Sequence, residues 1–173
     1  MTAPEWLEDP ELAAAVAEIE QFAAAAGWDA APQLFALVPT AELIAAGLAV
    51  PDPEGGAYTA IAQDGLEIPT DTDGEPDLST ALAHIAWPPE VSGAVLVQEI
   101  VVLPSGAART ADEAAAHPDR REARLVAGVL REAAGGACLL RLRPLPGAEP
   151  EPALRGADLA PNLLTALRAT FLD

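Results

Sequence analysis

The stretch "ARLVAGVLREAAGGACLLRLRPL" (residues 123–145) decides the fold, because its first half can be drawn either as a helix or as a strand. Drawn as a helix from His117 onward, Arg120, Arg124 and Arg131 line up, but Leu125, Val126, Val129 and Leu130 leave no clean apolar stripe opposite them. Drawn as strands, "ARLVAGVLRE" and "ACLLRLRPL" are two β-rich runs joined by the glycine-containing "AAGG", which is the pattern of a hairpin. Setting Arg131 opposite Ala137 puts Val126, Leu130, Cys138, Leu140 and Leu142 on one face of that hairpin. Arg131, Arg141 and Arg143 then fall together on the other face, among Leu125, Val129 and Leu139. The sequence therefore predicts an arginine-bearing sheet face.

Working outward, "VSGAVLVQEIVVLP" (91–104) is the most strand-like run in the chain and long enough for the middle of a sheet. Between it and the hairpin, 105–119 is Ala-rich and polar and reads as a loop with a turn of helix. Beyond the hairpin, Leu163, Leu167 and Phe171 recur every four residues beside Leu159 and Leu164, with Pro161 near the start, which predicts a terminal helix docked on the sheet.

Towards the N-terminus, Asp9 is a natural N-cap with Pro10 at the first helical position. Leu12, Val16, Ile19 and Ala23 follow at three- and four-residue steps, with Ala15, Phe22 and Ala26 beside them, and Gly27 is the stop signal. "QLFALVP" (33–39) reads as a strand closed by proline, after which Thr40 can cap a brief helix over "AELIAAG". Within 51–77, "YTAIAQ" and "LEIP" around Asp64-Gly65 suggest a hairpin, and Asp77 can cap a helix over "LSTALAHIAW" that ends at Pro88-Pro89. The fold class is therefore α+β: a single domain over 1–173 whose mainly antiparallel sheet includes 91–103, 123–132 and 137–143. Helices at about 10–26 and 160–171 flank it.

The formal net charge is −18, and its distribution is one-sided. Residues 1–108 hold 18 acids and no Lys or Arg, while 109–173 hold 9 acids and 9 arginines, so the first part carries all of the net charge. Such a field repels phosphate backbones, which argues against nucleic-acid binding. Apolar runs are short and broken, none near the roughly 20 residues of a membrane span, and "MTAPEWLEDPEL" is acidic where a signal peptide is basic. A soluble, cytoplasmic protein is the expectation. Arginine without lysine, in an alanine-rich chain, also fits a GC-rich genome. The single cysteine, Cys138, excludes an internal disulfide and sits in an apolar context that suits a small buried hydrophobe.

Catalytic groups are scarce. His84, His117 and Cys138 cannot supply the four ligands of a structural zinc site, and neither a phosphate-binding glycine loop nor a Gly-x-Ser-x-Gly elbow is present. "DTDGEPD" (71–77) lacks the acidic residues that a calcium loop needs at its first and last positions and reads as ordinary turns. No catalytic residue, metal or cofactor is therefore assigned. Two surfaces remain: Arg131, Arg141 and Arg143 as a ligand-binding set suited to a small anion, and Trp87 as a partner anchor at a helix end. The simpler reading has those arginines paired with carboxylates of the N-terminal half, and Trp6, Trp28 and Trp87 as packing residues.

Taken together, "LFALVPTAEL", "WPPEVSGAVLVQEIVVLP", "HPDRREARLVAGVLR", "CLLRLR" and "LAPNLLTALRATF" resemble a family of small acidic actinobacterial proteins of uncharacterised activity. That resemblance implies a cytoplasmic setting and assigns no site. The element order is also similar to that of secretion-chaperone-like α+β domains, an analogy of fold alone. The functional expectation is a non-enzymatic protein-binding or adaptor domain offering an acidic surface and an open sheet face. The alternative is an anion-binding protein or enzyme using the arginine face.

Overall fold

A computed structural model describes residues 10–48, 50, 57–63, 72, 78–83, 85–102, 121–132, 136–149, 152–156 and 159–171. The deciding stretch is two strands, β4 (Arg121–Leu130) and β5 (Gly136–Leu142), and β3 (Gly93–Val102) pairs along the whole length of β4. With β1 (Gln33–Pro39), β2 (Tyr58–Gln63) and β6 (Leu154–Gly156), they form one six-stranded sheet in the order β2-β1-β3-β4-β5-β6. Every adjacent pair is antiparallel. Four helices are described: α1 (Pro10–Ala26), α2 (Thr40–Ala45), α3 (Leu78–Ala83) and α4 (Pro161–Ala169). The protein is thus an α+β domain with helices near both ends of the chain. Among the described residues, no helix is long and apolar enough to cross a membrane.

Both faces of the sheet are covered, which explains why its central strands are apolar at consecutive positions rather than alternately. On one face Leu12, Val16 and Ile19 of α1 pack against Phe35, Leu37, Val95, Val97, Val126 and Leu139. On the other, Leu82 of α3 and Leu163, Leu164 and Leu167 of α4 pack against Leu34, Leu96, Leu125, Val129 and Cys138. Burying each such leucine is worth about 1.5–3 kcal/mol relative to exposure. Cys138 is a small buried hydrophobe, as its context suggests.

Several details differ from the sequence reading. The hairpin register is not Arg131 opposite Ala137: Gly136 faces Val129, Ala137 faces Gly128 and Leu139 faces Val126. This is a three-residue slip, and because side chains alternate, an odd slip exchanges the faces of one strand relative to the other. In the observed register Arg124 and Arg141 are cross-strand partners that both reach Glu20, while Arg131 N–H donates to Ser92 O at 2.7 Å, continuing the β3–β4 register by one position. Thr40 is not an N-cap but the first residue of α2, and its hydroxyl meets that of Thr59 at 2.9 Å. "YTAIAQ" pairs with β1, whereas "LEIP", Asp9, Asp77, the expected loop at 105–119 and both histidines lie outside the described residues. Phe22 is 60% exposed, although its ring meets Phe35 edge-on at 6.2 Å.

Close approach of α1 to β4 depends on Gly128. A Cβ there would lie 3.0 Å from Val16 Cγ2 and Val95 Cγ2 and 3.2 Å from Leu12 Cδ1, all of them buried. Gly128→Ala is expected to lower stability by about 1–3 kcal/mol through overpacking, measured by urea denaturation. The penalty should shrink in a Val16→Ala background, where the obstruction from the helix side by Val16 Cγ2 is gone. An equal penalty in both backgrounds would mean that the helix–strand spacing is set elsewhere.

Candidate functional site

Within its apolar stripe, between Ile19 and Ala23, α1 places a carboxylate where a core residue belongs. Glu20 is 2% exposed, following Leu12 and Val16 at four-residue steps on the sheet-facing side. An ionised carboxylate held out of water needs cationic partners, and two reach it. Arg141 Nε donates to Glu20 Oε1 at 2.6 Å, and Arg124 Nη1 approaches the same oxygen at 3.3 Å. Arg124 is itself 2% exposed; its Nη2 donates to Gly27 O at 3.1 Å, and its guanidinium lies 4.4 Å from the centre of the Trp28 ring. The register makes this possible, because Glu99, Arg124 and Arg141 stand side by side on adjacent strands.

The turn after α1 closes over this row. Gly27 has a φ of +91°, which glycine accepts without strain, and Asp29 follows in the left-handed region at +66°. Glu99 accepts the N–H groups of Asp29 and Ala30 at 2.9 and 2.7 Å, so both carboxylate oxygens are used on the turn. Asp29 in turn takes Arg143 Nη1 at 2.9 Å, and Glu122 takes the same nitrogen at 2.8 Å. The hydrogen bond to Asp29 leads in holding the Arg143 pKa above its ordinary value, against desolvation and with help from the Asp29 charge and Glu122. A cleft of about 40 Å³ remains, lined by Ala23, Ala26, Gly27, Ala30, Glu99 and Arg124 among others. That is room for a few waters, at about 10–15 Å³ each, and far below the about 300–1,000 Å³ of small-molecule pockets.

A family model described as "PPA1309-like protein" matches residues 12–172, nearly the whole chain. The chain belongs to the PPA1309-like family. No curated protein and no solved structure matches it significantly.

For this PPA1309-like chain the structure separates the three arginines singled out by sequence. Arg141 and Arg143 lie on the α1 side, where they are joined by Arg124. Arg131 belongs to the opposite side: its Nε donates to Val91 O at 3.0 Å, its Nη2 to Pro88 O at 2.9 Å, and it lies 4.8 Å over the Phe171 ring. The expected three-arginine face is therefore corrected to Arg124, Arg141 and Arg143, for the reason of register parity given above. Trp87 is half-buried, stacked on Phe171 with ring centres 6.0 Å apart, and donates from Nε1 to Thr170 Oγ1 at 2.7 Å. The reading missed Arg124, Glu20, Asp29 and Glu99. Glu20 had a usable signal, since 12, 16 and 20 form one helical row. Among the described residues no group of three or more His, Cys, Asp or Glu could hold a metal ion.

The pairings predict unequal effects. Glu20→Gln leaves buried Arg124 without its counter-charge and is expected to cost about 3–5 kcal/mol in a denaturant titration. Arg141→Gln removes the more exposed partner, 33% accessible at its side chain, while the Glu20–Arg124 pair survives, so about 1 kcal/mol is expected. Equal losses from the two substitutions would contradict this assignment of the buried pair.

Proposed function

We propose that this protein is a non-catalytic, cytoplasmic protein-binding or adaptor domain whose acidic surface engages a basic partner. The observation that carries the reading is the internal engagement of the arginine cluster. Glu20, Asp29 and Glu122 occupy Arg124, Arg141 and Arg143, and main-chain carbonyls occupy Arg131. The nearby cleft of about 40 Å³ offers an anion no comparable space.

Charge bookkeeping points the same way. Pairing each of the 9 arginines with one of the 27 acids still leaves 18 carboxylates, the formal net charge of −18. Such an excess favours and accelerates association with a basic surface and opposes phosphate-rich polymers. A single buried cysteine, Cys138, and arginine in place of lysine fit a cytoplasmic, actinobacterial setting. The open sheet face expected from sequence narrows to β2, because helices cover the centre of the sheet on both sides.

A thermal-shift panel of pyrophosphate, citrate and nucleotides, run beside a pull-down from the native cytosol, tests the reading. No saturable stabilisation by any anion is expected, together with a basic partner that elutes as salt rises and is recovered equally by Arg141→Gln. Duplex DNA should not be retarded in a gel at moderate salt. A saturable anion-dependent rise in Tm that Arg141→Gln abolishes would overturn the reading in favour of a small-anion site.

A further inference from the structure

The cleft beside Arg124 lies where two sources of negative charge meet. One is the C-terminal end of α1, where the carbonyls of the last turn form the negative end of the helix dipole. Helices commonly place Lys, Arg or His there, but the last turn of α1 holds no basic residue. The other is Glu99, a half-buried carboxylate that lines the cleft together with Ala26, Gly27 and Ala30. Among the described residues, Arg124 is the positive charge of this lining, and it is already engaged, with Glu20 through Nη1 and with Gly27 O through Nη2.

Glu99 is used differently from the other acids of the site. Glu20, Asp29 and Glu122 each face an arginine, whereas the oxygens of Glu99 accept the main-chain N–H groups of Asp29 and Ala30. An N–H group satisfies a lone pair without cancelling the charge, and an ionised carboxylate has about four acceptor positions. Counted over these groups, four acids stand against the three arginines Arg124, Arg141 and Arg143, so the site keeps one negative charge. Glu99 is the acid with no arginine partner among the described residues.

Size narrows the occupant. The cleft of about 40 Å³ admits a few water-sized groups at about 10–15 Å³ each. That suits the Cδ, Cε and Nζ end of a lysine side chain and is tight for the wider planar fork of arginine. The mouth is open, since Ala26, Ala30, Ala31 and Gln33 are exposed. The geometry points to this cleft as the seat of one lysine side chain of the basic partner. Its ammonium group pairs with Glu99 beside the negative end of α1, and its methylene stem lies on the methyl groups of Ala26 and Ala30. The inference rests on the acidic-surface reading above and adds to it the residue that anchors the partner and the place where it lodges.

The test uses the full chain and a fluorescent Gly/Ser peptide bearing spaced lysines, followed by anisotropy at about 0.15 M salt. Matched peptides carry arginine or Nε-acetyl-lysine at the same positions. Ala30→Leu fills the cleft from its mouth and keeps the N–H that Glu99 accepts, so it should weaken binding of the lysine peptide about tenfold. Glu99→Gln keeps the size and removes the charge, with a similar loss expected. The arginine peptide should bind severalfold more weakly than the lysine peptide, and the acetylated one not measurably. In isotope-labelled protein, the amide resonances of Asp29 and Ala30, which report on Glu99, should move saturably as the lysine peptide is added. Should Ala30→Leu fail to fold, Ala26→Leu blocks the same cleft from the exposed end of α1. Unchanged affinity in the leucine variant, stationary Asp29 and Ala30 amides at saturation, or an arginine peptide that binds as well as the lysine one sinks the cleft while leaving the acidic-surface reading standing. No binding of either basic peptide, or equal binding of the acetylated one, removes both.

Discussion

A single buried carboxylate governs how the pieces of this protein fit together. Glu20 has given up its water, and the guanidinium groups of Arg124 and Arg141 stand in for it. Removing a carboxylate from water costs several kcal/mol even after relaxation, so this arrangement contributes less to net stability than its short distances suggest. Its stronger effect is on geometry. Arg124 and Arg141 are cross-strand partners, and both must point toward α1. Slipping β5 by one residue would send Arg141 to the α4 side and leave Glu20 with half of its compensation. An apolar core tolerates a shift in register far better than a buried charge does, so Glu20 makes the observed pairing energetically distinct from its neighbours.

The same constraint explains the one-sided charge of the chain. The ion pairs of the site join acids in the first part to arginines in the last part, across separations of 104, 121 and 114 residues for Glu20–Arg124, Glu20–Arg141 and Asp29–Arg143. The local exception is Glu122 with Arg143. The gathering of positive charge near the β4–β5 hairpin is therefore the complement of a negative helix and turn that cross the sheet above it. Trp28 shares in this, lying 4.4 Å from Arg124 and 5.6 Å from Arg143, so the turn is held by ring faces as well as by hydrogen bonds.

The architecture was legible in the sequence because its signals are local. Leu12, Val16, Ile19 and Ala23 mark α1; the apolar runs at 33–39 and 91–104 mark β1 and β3; the failure of 123–132 to form an apolar stripe marks β4. Register was not local. Arg124 and Arg141 must both face Glu20, which lies 104 and 121 positions away from them in the chain. The register difference carries into the site: with Arg131 on the opposite side of the sheet, Arg124 takes its place beside Arg141 and Arg143. Strand β6 is too short to carry a periodic signal, and Glu99 gives no hint in sequence that it binds the N–H groups of residues 29 and 30.

The long reach of the Glu20 pairing has a consequence for how the chain is made. During synthesis at about 5–20 residues per second, α1 emerges some 5–20 seconds before the arginine that will share its burial. Over that interval β1 and β3 can offer apolar residues to the row, but docking the helix on them would bury Glu20 without either of its arginines. The cost of burying the acid is therefore offset in two steps, first when β4 brings Arg124 and then when β5 brings Arg141.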